Sequence, residues 1–294
     1  MPRIAYVNGR YVSAAQPAIF IEDRGFQFAD GVYEVCAVMN GHILDWAPHL
    51  ARLHYSLDAL QIAAPMGDRP LRMVAERLIR ENRLREAILY IQITRGVARR
   101  DHGFPANAVP TLVMTAHRFN FARRVTEQEK GVSAISVPDI RWARRDIKSV
   151  SLLPNVLAKQ AARTAGAFEA IMVDDGGMIT EGGSTNIWMV DESGRIVTRS
   201  LSPAILAGIT RAAVLHLAGQ KGEKVEERAF SLKEAQDAAE LFLTSTTAPC
   251  LPIVSLNGQP VGKGRPGPVA RRLGHLLWAE VERQTGYRPP ALSH

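Results

Sequence analysis

Cysteine is nearly absent: Cys36 and Cys250 are the two in 294 residues, far apart, and no C-x-x-C or H-E-x-x-H occurs. That excludes a disulfide-stapled scaffold, gives no support to the common zinc sites, and fits a reducing compartment. Aromatic residues make up only 6% of the chain, and none alternate with basic residues as a nucleic-acid stacking platform requires. No apolar run approaches the ~18 residues of a membrane span. The opening Met1-Pro2-Arg3-Ile4-Ala5-Tyr6-Val7-Asn8-Gly9 lacks the unbroken apolar stretch of a secretory signal. The expectation is a soluble, cytoplasmic chain with no metal centre, no membrane segment and no nucleic-acid partner.

What the chain has in excess is positive charge, 36 Lys+Arg against 29 Asp+Glu, a net +7. The pairs Arg99/Arg100, Arg123/Arg124, Arg144/Arg145 and Arg271/Arg272 are scattered, so the charge reads as a solvated basic surface able to draw small anions. With 46% hydrophobic residues, the chain is long enough for about two domains with real cores.

The first part is α+β. Ile4-Ala5-Tyr6-Val7 and Tyr11-Val12 flank an Asn8-Gly9 turn, and Val32 to Val38 and His42-Ile43-Leu44 flank Asn40-Gly41, predicting two hairpins. Leu50, Leu53, Leu57 and Leu60, then Leu71, Val74 and Leu78, recur at helical spacing, and Ala87 to Thr94 and Thr111 to Thr115 read as strands. A domain over 1–118, a linker over 119–127 and a second domain over 128–294 are expected. The second contains strands at Val132 to Val137, Ala170 to Val173, Thr185 to Val190 and Leu241 to Thr244. Its helices begin near Pro154-Asn155 and at Gly208-Ile209-Thr210-Arg211, and a last one carries Val269, Leu273, Leu276 and Val281.

Three features together resemble an anion site. A glycine turn before a helix at Gly208-Ile209-Thr210 leaves backbone N–H groups at a positive dipole end. Ser245-Thr246-Thr247 offers hydroxyls after a strand, and Arg52, off the leucine stripe, offers a guanidinium fork. Taken singly, each is an ordinary turn, loop or solvated arginine. Lys148 in Asp146-Ile147-Lys148-Ser149 is either a surface lysine or a Schiff-base lysine facing that site, and Glu181 is either a turn carboxylate or the partner of a protonated ring nitrogen.

The strings Asp23-Arg24-Gly25-Phe26-Gln27-Phe28-Ala29-Asp30-Gly31-Val32-Tyr33-Glu34, His49-Leu50-Ala51-Arg52-Leu53, Asp146-Ile147-Lys148-Ser149, Ile179-Thr180-Glu181-Gly182-Gly183-Ser184-Thr185-Asn186, Gly208-Ile209-Thr210-Arg211 and Thr244-Ser245-Thr246-Thr247 appear in this order. In them the chain resembles, over nearly its whole length, the class IV, fold type IV pyridoxal-phosphate aminotransferases. The resemblance implies a two-domain α+β fold, with a small N-terminal α/β domain and a larger, β-barrel-like C-terminal domain with helices. It also implies pyridoxal 5'-phosphate bonded to Lys148, with Glu181 on the pyridine nitrogen. Arg52, Ile209, Thr210 and Thr246 would hold the phosphate, and Leu206 would pack on the ring.

The segment Arg99-Arg100-Asp101-His102 carries an Arg-x-His pair that is similar to the carboxylate trap of the D-amino acid branch, completed by Tyr33. In that branch the pair comes from the neighbouring subunit, which implies a homodimer with a shared active site acting on amino acids and 2-oxo acids, D-alanine and 2-oxoglutarate among them. Tyr33-Glu34-Val35-Cys36-Ala37 departs from the Tyr-x-Gly-x-Arg usual in the branched-chain L-amino acid branch. That branch is the nearest alternative, followed by R-selective amine transaminase and aminodeoxychorismate lyase. Ala29 stands where a glycine is common, Ala37 where the bacillary D-amino acid enzymes carry a lysine, and Gly183 and Thr185 replace serines.

Overall fold

A computed structural model describes residues 3–288, which divide into two compact units. The first holds β1 (Ile4–Val7), β2 (Arg10–Ser13), α1 (Arg24–Phe28), β3 (Gly31–Met39), β4 (His42–Ile43), α2 (Trp46–Ala59), α3 (Asp68–Glu81), β5 (Ala87–Thr94) and β6 (Thr111–Arg118). Its six strands form one antiparallel sheet in the order β2-β1-β6-β5-β3-β4. Both predicted Asn-Gly turns are present, with Asn8, Gly9, Asn40 and Gly41 all at positive φ, as the turn type that matches strand twist requires.

Alternation decides the faces of this sheet. Val32, Cys36, Val38, Leu89, Ile91 and Ile93 point into a core closed by Leu53 and Leu57 of α2 and by Leu71, Ala75 and Leu78 of α3. The in-register pairs Tyr33↔Gln92 and Val35↔Tyr90 therefore occupy the opposite face.

The second unit holds α4 (Phe121–Lys130), β7 (Val132–Pro138), α5 (Leu153–Thr164), β8 (Glu169–Val173), β9 (Ile179–Gly182), β10 (Asn186–Val190), β11 (Ile196–Thr198), α6 (Ile209–Gln220), β12 (Val225–Glu227), α7 (Leu232–Gln236), β13 (Glu240–Ser245), β14 (Ala248–Leu256), β15 (Gln259–Pro260) and α8 (Pro268–Thr285). The main path of its sheet runs β12-β11-β10-β13-β14-β7-β8-β9. In a flat sheet β9 and β10 would lie five spacings apart, about 24 Å, whereas the three residues joining them reach at most about 14 Å. The sheet must therefore curl, and its concave core gathers Ile171, Ile179, Ile187, Met189, Leu241, Leu243 and Leu251. The alternate residues Trp188, Val190 and Phe242 pack under α6 and α8, so β10 is buried on both faces and reads as a continuous apolar run.

Two segments behave differently from the sequence expectation. Residues 119–127, expected as the linker, lead into and form most of α4, with Phe121 and Val125, one helical turn apart, both buried. Ile147–Ser151 returns to the first unit: the Tyr33 N–H donates to the Lys148 carbonyl at 3.0 Å, and Val150 N–H to the Gly31 carbonyl at 3.0 Å.

Candidate active site

In the first unit β3 organises the expected residues. Lys148 is half-buried; its N–H donates to Ser56 Oγ at 3.2 Å, and its Nζ lies 4.2 Å from the centre of the Tyr33 ring. Tyr33 in turn stacks on Tyr90, centroids 5.6 Å apart, and burial above all pushes the Tyr90 hydroxyl up to about 12, so it stays a neutral donor to Gln92 Oε1 at 2.7 Å. Arg52 lies one helical turn before Ser56 on α2, hence on the same face as the hydroxyl that holds Lys148.

Arg52 does not stand alone there. Its Nε donates to Glu34 Oε1 at 2.7 Å and its Nη2 to Oε2 at 2.8 Å, with His49 Nδ1 2.7 Å from the same Oε2. An ionised carboxylate only accepts, which assigns the proton to His49 Nδ1. Burial alone would raise the Glu34 carboxyl; the bonds from Arg52 and His49 outweigh it and hold it down to about 2. Glu34 was not singled out in the sequence, although a signal existed: it falls in phase with Val32 and Cys36 on the core face of β3, where a carboxylate must find a partner.

In the second unit Glu181, on β9, accepts at Oε2 from the Leu206 N–H (3.1 Å) and Asn186 Nδ2 (3.3 Å), and pairs through Oε1 with Arg141. Arg141 is itself gripped by Asp139, Nε to Oδ1 at 2.9 Å and Nη2 to Oδ2 at 2.7 Å. Burial opposes the charge of both groups; for Asp139 the bonds from Arg141 and Thr180 win and hold its carboxyl at about 2, and for Arg141 its two carboxylates push the pKa up. Nothing in the irregular Asp139-Ile140-Arg141 string marks this pair in advance. Gly208 precedes α6 with no side-chain cap, so the first-turn N–H groups, those of Ile209 and Thr210 among them, gain no partner from that residue. A Cβ on Gly208 would fall 2.0 Å from Asn186 Oδ1, which explains the glycine. Leu206 and Thr246 are half-buried, the latter in the turn from β13 to β14.

Arg100 and His102 lie exposed on the connection between β5 and β6. Among the described residues neither makes a hydrogen bond or ion pair with Tyr33 or Lys148; both instead meet Phe28, Arg100 with its guanidinium 4.6 Å from the ring centre and His102 with ring centroids 5.4 Å apart. No group of three or more His, Cys, Asp or Glu side chains able to hold a metal occurs among the described residues, and no helix among them is long and apolar enough to cross a membrane.

The antiparallel sheet of the first unit and the curled sheet of the second are those of a fold type IV enzyme. The amino-transferase class IV family model matches residues 31–256. A D-alanine aminotransferase of Bacillus licheniformis is 41% identical over 278 residues, spanning 95% of this chain and 97% of that protein, and one of Listeria innocua is 35% identical over 95% and 96%. Among solved structures, the branched-chain amino acid aminotransferase of Escherichia coli has a TM-score of 0.86 at 25% identity, covering 97% of this chain and 95% of its own. A T.th. branched-chain enzyme solved with pyridoxamine 5'-phosphate shares the fold at TM-score 0.87 and 24% identity, covering 98% and 96%. The chain belongs to the class IV aminotransferases. It is an aminotransferase that uses pyridoxal 5'-phosphate, and its substrates are amino acids and 2-oxo acids.

Proposed function

We propose that this enzyme is a D-amino acid aminotransferase that exchanges D-alanine and 2-oxoglutarate for pyruvate and D-glutamate and accepts a broad range of D-amino acids. The observation that carries this reading is the likeness along the whole chain to proteins named D-alanine aminotransferase. The first-unit strand supports it, since Tyr33-Glu34-Val35-Cys36-Ala37 has neither the glycine nor the arginine of the branched-chain pattern.

The donor set suits pyridoxal phosphate. On this reading Lys148 Nζ bonds the cofactor, Glu181 accepts the pyridine N–H, and Leu206 packs on the ring. Arg52, the first-turn N–H groups of Ile209 and Thr210, and Thr246 bind the phosphate, which a helix N-terminus and a guanidinium both favour. Bound pyridoxal phosphate supplies the sink for the electrons left when the substrate α-proton departs. Displaced from the cofactor by the substrate's amino group, the free Lys148 Nζ would take that proton from the α-carbon, and Glu181 would keep the ring nitrogen protonated. Arg100, His102 and the Tyr33 hydroxyl grip the substrate α-carboxylate, with Arg100 and His102 contributed by the partner subunit of a homodimer.

A branched-chain L-amino acid aminotransferase is the second reading, favoured by the solved structures of that name. Assays of D-alanine, L-alanine and L-leucine with 2-oxoglutarate separate the two: the D-amino acid reading expects turnover of D-alanine, and a preference for L-leucine overturns it. Mixing Lys148→Ala with Arg100→Ala subunits tests the shared site, since only a mixed dimer with one intact site regains activity. Failure to regain it places Arg100 and Lys148 of the same chain in one site, or Arg100 in none.

A further inference from the structure

The connection that carries Arg100 and His102 has no regular structure from 95 to 110 and includes Gly96, Gly103, Pro105 and Pro110. A loop of that length and composition does not hold two side chains in place by itself. Its ends are nevertheless closed on each other, because Gly96 sits at φ +96 with a virtual Cβ only 1.9 Å from the Val109 carbonyl oxygen. Its start is bolted to Asp30: Arg95 donates from Nε to Oδ2 at 2.7 Å and from Nη2 to Oδ1 at 3.0 Å, and gives further hydrogen bonds to the Gln61 and Leu60 carbonyls after α2.

The same Asp30 Oδ2 also accepts from Arg24 Nε at 2.8 Å. Arg24 is 3% exposed, and its remaining nitrogens turn to the loop: Nη1 donates to the Asp101 carbonyl at 2.5 Å, and Nη2 lies 3.5 Å from the His102 carbonyl. Its guanidinium also stands 4.8 Å from the Phe28 ring centre, while Arg100 stands 4.6 Å from that same centre. Two buried guanidiniums thus share the Asp30 carboxylate beneath the loop, with the buried Asp23 carboxylate next in sequence to Arg24.

We infer that Arg24 is a positioning residue for the substrate α-carboxylate: fixed on Asp30, it grips the backbone at Asp101 and His102 and one face of Phe28, and so sets where Arg100 and His102 present their donors. The inference rests on the reading of Arg100 and His102 as the carboxylate-binding pair. It extends to every substrate of the enzyme, because amino donors and 2-oxo acceptors share the α-carboxylate. A displacement of about 1 Å in such a pair costs binding steeply while leaving the reacting lysine alone.

The test is a double-mutant cycle on the holoenzyme with Arg24→Lys and Arg100→Ala, following KM and kcat for D-alanine and for 2-oxoglutarate. Arg24→Lys keeps the charge on Asp30 and loses the fork. It is expected to raise both KM values about tenfold, to leave kcat within about twofold and the cofactor absorbance unchanged, and to add little to the effect of Arg100→Ala. If Arg24→Lys lowers the thermal midpoint so far that the enzyme does not fold, Phe28→Leu carries the same test, since it removes the shared ring and keeps the ion cluster. Should Arg100→Ala raise KM while the Arg24 and Phe28 variants leave it unchanged, or should the effects simply add, Arg24 does not act through Arg100 and the inference falls. An Arg100→Ala enzyme with wild-type KM removes the carboxylate-pair reading itself, and this inference with it.

Discussion

Arg52 and Glu34 meet fork to fork, Nε–Oε1 at 2.7 Å and Nη2–Oε2 at 2.8 Å, on the core side of β3. A guanidinium held by two parallel bonds presents its remaining surface in one orientation, so on the proposed reading of Arg52 as a phosphate ligand Glu34 pre-sets it at little entropic cost. Glu34→Gln keeps the shape and one acceptor but loses the charge. It is expected to weaken pyridoxal phosphate binding about tenfold and to cost about 2 kcal/mol of unfolding free energy. Equilibrium dialysis of the cofactor and denaturant melts of the apoenzyme measure the two effects; unaltered cofactor affinity would mean that Arg52 needs no support from Glu34.

Glu34 and Asp139 set the acid limit of the fold. Both carboxyls are held at about 2, below ordinary values of 4.5 and 3.8. A depressed carboxyl stabilises fully above its unfolded value and stops doing so as pH falls through its folded value. Stability is therefore expected to drop between about pH 4.5 and pH 2, and the Glu34→Gln enzyme to show a shallower decline over that range. Urea midpoints taken at pH 6, 4 and 3 check this; parallel declines for the two proteins would count against Glu34 as a source.

Ala29 ends α1 in the left-handed region, at φ 55, ψ 30, with its N–H bonded back toward Arg24 and Gly25. An L-residue with a Cβ is strained there, in a conformation that glycine adopts freely. Ala29→Gly is expected to stabilise the protein by about 0.5–1 kcal/mol, the relief of strain exceeding the added freedom of the unfolded chain, whereas Ala29→Val should destabilise it by more. Thermal midpoints of both variants decide, and a drop for the glycine variant would show that the Cβ packs usefully.

Local rules made much of the first unit readable: Asn8-Gly9 and Asn40-Gly41 specify their turns, and Leu53 and Leu57 specify the buried face of α2. β14 escaped because Pro249 and Pro252 interrupt the strand pattern, and its pairing runs through a bulge near Cys250, itself at φ 48. The return of Ile147–Ser151 to β3 was equally hidden, since nothing within five residues announces a partner more than a hundred positions away. Among the candidate site residues, Lys148 and Glu181 stand in recognisable strings. Their supports Ser56, Asp139 and Arg141 do not, because a supporting contact depends on tertiary placement.

Lys148→Ala is expected to abolish transamination while the enzyme still takes up pyridoxal phosphate non-covalently, because Arg52 and the α6 terminus are untouched. Borohydride should then fail to fix the cofactor to the protein. Turnover like the wild type's would remove Lys148 from the reaction.

Glu181 provides the sharpest check on the second unit. Its carboxylate is fixed by the Leu206 N–H, Asn186 Nδ2 and Arg141. If it also accepts the pyridine N–H, it makes the ring a better electron sink, and the benefit appears only where negative charge develops, in the α-proton step. Glu181→Ala should slow that step by about 10²-fold or more. The loss is deepened because Arg141 keeps Asp139 but loses the Glu181 charge, and a less neutralised cation near the ring nitrogen disfavours protonation. The primary isotope effect with α-deuterated D-alanine should rise as proton removal becomes rate-limiting, and the bound cofactor's absorbance should shift. A variant with unchanged rate, isotope effect and spectrum would make Glu181 a structural partner of Arg141 and nothing more.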